Sequence, residues 1–108
     1  MYDGFSAPDT IDLITHEPND VFVLIIVHSG EWVGSRQEED ALLVKINDYL
    51  HFVLNGEFHM RYPQAIGKEV RVQVDTGSDP PLEITNLVQQ ADAKLMERNI
   101  RIQINLLK

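Results

Sequence analysis

Hydrophobic and polar residues follow three different rhythms along this chain, and their order predicts the fold. Val21-Phe22-Val23-Leu24-Ile25-Ile26-Val27 has no polar interruption, the mark of a strand buried on both faces. Behind Ser35-Arg36-Gln37-Glu38, which has the S-x-x-E form of a capping box, apolar residues recur at helical spacing. The spacing predicts a helix over residues 36–54, with Asn55-Gly56 suited to a left-handed C-terminal cap. On a helical wheel its buried stripe is Leu42, Ile46, Tyr49, Leu50 and Val53, flanked by Leu43 and Leu54, with Asp48 and His51 on the far side. Phe52 falls near Ala41 and Lys45, away from the stripe. It implies a second, partly covered face, against the following loop or another chain.

The third rhythm is strict alternation. Val70-Arg71-Val72-Gln73-Val74-Asp75, and later Ile100, Ile102, Ile104 and Leu106 between Arg101, Gln103 and Asn105, read as half-buried strands. A second helix between them presents Ile84, Leu87, Val88, Ala91 and Leu95 on one face and ends near Asn99. Asp79-Pro80 supplies its expected N-cap and first-turn proline. Residues 10–15 read as a short strand joined through Glu17-Pro18-Asn19-Asp20 to the apolar run as an antiparallel hairpin. Residues 57–68 are an irregular connection whose Phe58, Met60, Tyr62 and Ile66 suggest packing onto the domain. The first nine residues predict a mobile tail, and residues 10–108 one domain.

The order β-β-α-β-α-β predicts a two-layer α/β fold, a four-stranded mixed sheet with two helices on one face. The other face then shows Arg71, Gln73, Arg101, Gln103 and Asn105 to solvent. The apolar run breaks that pattern with a greasy stripe, which requires cover from the N-terminal tail, from residues 57–68, or from a second subunit. A homodimer is the favoured expectation.

Composition narrows the function classes. The chain has 108 residues, no cysteine, and a formal net charge of −8. Without cysteine there is no disulfide, iron–sulfur cluster or thiol catalysis. Nucleic-acid affinity comes largely from neutralised phosphates, so a scattered basic set, densest at Lys68, Arg71 and Arg101, argues against it. An anionic membrane surface is disfavoured likewise, and no apolar run approaches the ~20 residues that span a bilayer. The amino terminus lacks the pattern of a signal peptide, so the cytoplasm is the expected location. The charge serves solubility first, and where a protein partner exists it favours a basic one.

Several segments together carry a family resemblance: Ile11-Asp12, the strand leading to Trp32, Lys45-Ile46-Asn47-Asp48-Tyr49-Leu50, Phe52, Asn55-Gly56-Glu57 and Tyr62-Pro63. The chain resembles a family of small uncharacterised bacterial proteins, a domain of unknown function, over nearly its whole length. Members more often carry Asp-His a few residues before the tryptophan, where this chain has His28-Ser29. The resemblance implies a bacterial, cytoplasmic, single-domain protein and brings no activity with it.

Candidate chemistry gathers after the apolar strand, because ligands in open α/β sheets bind beyond the carboxyl ends of strands. Trp32 is a stacking platform, an interface anchor, or a roof on the core between that strand and the first helix. His28 and Glu31 are the one candidate acid–base pair. Asn47, at the edge of the buried stripe, either binds a ligand or holds Tyr49 and the Tyr62-Pro63 loop. Tyr49 and Tyr62 read as core residues with a polar handle. His16, His28, His51 and His59 have no metal-ligand spacing, Glu38-Glu39-Asp40 complements a helix dipole, and no glycine pattern forms a phosphate loop. No cofactor or metal is expected. The reading is a non-enzymatic protein-binding module that self-associates, with a basic partner in view. The alternative is a small enzyme or metabolite binder using a pocket among His28, Trp32 and Tyr62.

Overall fold

The apolar run forms an inner strand of a four-stranded sheet. The computed structural model describes residues 13–107. Their elements are β1 (Leu13–His16), β2 (Phe22–His28), α1 (Arg36–Leu54), α2 (Glu57–Arg61), β3 (Val70–Thr76), α3 (Leu82–Leu95) and β4 (Ile100–Leu106), with 3-10 turns at Pro63–Ala65 and Met96–Arg98. Strand order is β1-β2-β3-β4, antiparallel in the first pair and parallel in the other two. This is the expected mixed sheet in a two-layer α/β fold. The tail expected over residues 1–9 and the strand start at residues 10–12 lie outside the described residues. Among the described residues no helix is long and apolar enough to cross a membrane.

Strand periodicity sorts the sheet into two faces. Phe22, Leu24 and Ile26 of β2 join Val70, Val72, Val74, Ile100 and Ile102 in one core with Leu42, Ile46, Tyr49 and Val53 of α1 and Ile84 and Val88 of α3. On the other face Val21, Val23 and Ile25 form a separate buried cluster. The connecting segment over residues 57–68 is not the cover of this cluster, because its Phe58 and Ala65 belong to the helix-side core. Val23 and Ile25 are only 1% and 8% exposed within a single chain, so their burial does not call for a second subunit.

Across β3 and β4 the open face is polar, as the alternation predicts. Register sets Arg71 beside Arg101, Gln73 beside Gln103 and Asp75 beside Asn105. Gln103 donates to Gln73 at 3.2 Å, while Gln73 and Asn105 both donate to Asp75 Oδ1 at 2.8 and 3.0 Å. At the β4 edge Asp92 accepts the N–H of Ile102 at 2.9 Å and two bonds from Arg101. That pairing blunts an edge open to another strand, and the guanidinium holds the Asp92 carboxyl below the usual carboxylate range. Lys68 and Arg71 are likewise held, by Asp20 and Glu17.

Several expectations need correction. α1 has the expected bounds and the expected left-handed ending, with Asn55 the right-handed C-cap at φ −83° and Gly56 the left-handed residue after it at φ 91°; other details differ. Leu43 and Leu54 are 44% and 47% exposed, because no element among the described residues packs over them. Phe52 is buried since α2 covers it, with the Phe58 ring 5.8 Å away and Arg61 5.7 Å above its face. Lys45 is buried too, its ammonium 5.5 Å from the Tyr49 ring. The connection over residues 57–68 is ordered into α2 and a 3-10 turn; Phe58 seats it, whereas Met60 and Ile66 point outward. Asp79 is not the N-cap of α3: Pro81 is, at ψ 159°, without a side-chain cap. The residue before a proline is kept out of the helical region, so Asp79 and Pro80 are both excluded until the second proline has passed.

Candidate functional site

Four segments meet at the carboxyl ends of β2 and β3. His28 ends β2, Thr76 ends β3, Trp32 comes from the loop after β2, and Glu38 from the first turn of α1. The Trp32 and His28 rings stack with centroids 3.7 Å apart and planes 4° from parallel. Trp32 Nε1 donates to Thr76 Oγ1 at 2.9 Å, and that hydroxyl donates to the Ser78 carbonyl at 3.0 Å. Trp32 is half-buried against the core, so it acts as a roof. One flat ring lies on another, and a single N–H fixes its rotation.

Glu38 holds the loop from below. Its N–H donates to Ser35 Oγ at 3.2 Å, the expected half of a capping box. The other half is displaced: the carboxylate bypasses the N-cap N–H and accepts those of Val33 at 2.8 Å and Gly34 at 3.0 Å. Gly34 sits at φ 73°, a conformation that favours glycine. Glu38 is fully buried, so its role goes beyond complementing the helix dipole.

His28 Nε2 lies 4.0 Å from Glu38 Oε2, with both side chains wholly buried. Burial pushes the imidazole below its ordinary value near 6.5, and the Glu38 charge partly opposes that shift. Below pH 6.5 the unfolded chain therefore takes up a proton that the folded chain resists. Stability should be full above pH 6.5 and fall as the pH drops through the lower folded value. Thermal melts across pH 7 to 5 (on the order of the free histidine range) should show this slope in wild type and lose it in His28→Asn. Equal slopes in the two proteins would place the titrating group elsewhere; Asp20 and Asp92, both lowered from 3.8, titrate below this window.

The remaining sequence-chosen residues are not brought together. Glu31 is exposed, and the carboxylate facing His28 is Glu38, because the loop carries Glu31 outward while the helix start returns to the strand end. Tyr62 packs against Phe58 at 5.4 Å, and Phe58 contacts Phe22 at the opposite end of β2. A strand of 7 residues at about 3.3 Å per residue separates that end from His28. His28, Trp32 and Tyr62 therefore do not line one pocket. Tyr49 needs no help from Asn47, since its hydroxyl donates to the Ile25 carbonyl at 2.7 Å.

Asn47 is exposed and lines a groove of about 400 Å³ between α1 and α3, with Leu43, Ile46, Leu50, Leu87 and Ala91 among its walls. At the opposite edge of the sheet from Trp32, a concavity of about 280 Å³ includes His59, Lys68 and Arg98 near the last turns of α1 and α3. Cations there complement the negative ends of the helices. Among the described residues no three histidine, aspartate or glutamate side chains could hold a metal ion.

Sequence reasoning did not place Glu38 or Thr76 in this cluster. Glu38 carried a signal, the S-x-x-E pattern, but its targets depend on how the loop folds back. Thr76 carried none. The model of a family of unknown function (DUF6572) matches residues 5–108. No curated protein and no solved structure matches the chain.

Proposed function

Since the chain belongs to that family of unknown function, its role rests on its own residues, and we propose that it is a non-enzymatic protein-binding module for a basic protein partner. The observation that carries this reading is the closure of the carboxyl edge of the sheet, where an α/β enzyme would place its chemistry. His28 and Glu38 are 3% and 0% exposed, and the Glu38 carboxylate is committed to two loop N–H groups. A net charge of −8 then favours encounter with a positively charged protein. The setting we propose is the bacterial cytoplasm, where a chain without cysteine needs no oxidative maturation.

Self-association is the second reading, and exposed apolar residues favour it: Leu13 and Val27 are 52% and 42% exposed beside the buried Val23 and Ile25 on the open face. Native mass spectrometry of the protein purified gently from its own host tests both. A stable complex with a basic protein supports the first reading, and a bare homodimer the second. A small-molecule adduct that disappears in Trp32→Ala would overturn both and return the metabolite-binding alternative.

A further inference from the structure

We infer that the groove between α1 and α3 is the docking surface for the partner and that its occupant is a basic amphipathic helix; this rests on the binding-module reading above. The groove is apolar along both walls, from Leu43, Ile46 and Leu50 on α1 and Leu87, Ala91 and Leu95 on α3. On each helix these residues recur at intervals of three or four, so each wall is a ridge about 10 Å long, or two helical turns. Two such ridges side by side form the furrow into which a third helix packs its own ridge. Leu43 remains 44% exposed there, an apolar surface with no covering element among the described residues.

Charge selects among occupants. Each long helix connects two parallel strands, so α1 and α3 run in the same direction and their first turns lie at one end of the groove. Glu39 and Asp40 of α1 and Glu83 of α3 are at that end, together with Arg36, while Lys94 lines the groove near the other. The whole chain carries −8, so a second copy in the groove would meet like charge. A helix with lysines or arginines around its apolar stripe is attracted from a distance and oriented on arrival, its basic end toward Glu39, Asp40 and Glu83.

The probe is a capped synthetic helix of about 14 residues, with leucines at i, i+3, i+4 and i+7 and lysines elsewhere, titrated into the full-length protein. A peptide of the same length and leucine spacing, with glutamates in place of lysines, is the charge control. Amide NMR shifts should saturate and concentrate at Leu43, Asn47, Leu87 and Gln90 for the lysine peptide alone. Leu43→Glu, at a solvent-facing position, should weaken binding about tenfold or more, and Glu83→Lys should weaken it without touching the apolar walls. Equal binding of the two peptides, shifts scattered over the surface, or affinity unchanged in Leu43→Glu would each overturn the assignment. So would shifts at these residues that grow with protein concentration alone, which would make a second copy the occupant. If native mass spectrometry shows a basic partner that Leu43→Glu still binds, the groove assignment fails and the binding-module reading stands; if no partner is found, that reading fails first.

Discussion

Replacing Phe58 by alanine should remove about 4 kcal/mol of stability, the largest loss expected from a single truncation in this chain. The ring is wholly buried in a helix of only five residues, too short to be stable alone. It contacts Phe22 of β2 at 6.1 Å edge-on, Phe52 of α1 at 5.8 Å and Tyr62 at 5.4 Å. One side chain therefore joins the start of the central strand, the end of the long helix and the connection to β3. Its loss leaves a cavity that the sheet cannot collapse to fill, and it frees the connection that covers Phe52. Urea unfolding should show the full loss, and limited proteolysis should cut first within residues 55–69. A loss below about 1.5 kcal/mol, ordinary for a shallow apolar site, would mean that other contacts seat the segment.

Glu38→Ala should cost about 2 kcal/mol, because two part-buried N–H groups lose a charged acceptor. The groups are those of Val33 and Gly34 on an exposed loop, so water replaces only part of what the charged acceptor supplies when the carboxylate is cut away. Glu38→Gln keeps one oxygen acceptor and should cost about half as much. Trp32 makes the effect visible: its ring is held by His28 below and Thr76 at its edge, and releasing the loop should shift its emission to the red before global unfolding. A Glu38→Ala protein as stable as wild type, with unshifted emission, would show that the loop is held by the indole stack alone.

The two variants probe opposite ends of β2, and their costs should add, since sites without shared partners are independent. Both ends of β2 are closed by packing, whereas the helix-layer groove, the concavity near His59, Lys68 and Arg98 and the open sheet face stay accessible among the described residues.

How much of this was legible beforehand follows the range of the physics. Helix α1 was readable to the residue because its signals are local: Ser35 caps a chain neighbour three positions on, and its apolar spacing repeats within a few residues. The two alternating strands were readable because side chains in a strand alternate whatever lies beyond them. Parallel pairing of β2, β3 and β4 followed from the helices between them, a constraint of chain handedness. The start of α3 was misplaced by one competing local effect, the second proline of Pro80-Pro81, which holds the chain extended.

The site was not legible in the same way. His28 and Trp32 were chosen by their position after a buried strand, and the structure does bring them together. Asn47, Glu31 and Tyr62 were chosen for their chemistry, and they lie in three different places. A helical wheel places Leu43 and Asn47 at the border of the stripe but says nothing about whether α3 fills the space beside them; it leaves a groove instead. By itself, then, the sequence determined the four strands and two long helices, their order, most of their inward faces and the negative charge, all set by interactions between near neighbours or by simple sums. Only the tertiary structure decided that Glu38 reaches Val33 and Gly34, that Tyr62 lies far from His28, and that two helices stand apart, because those distances depend on how separate segments pack against one another.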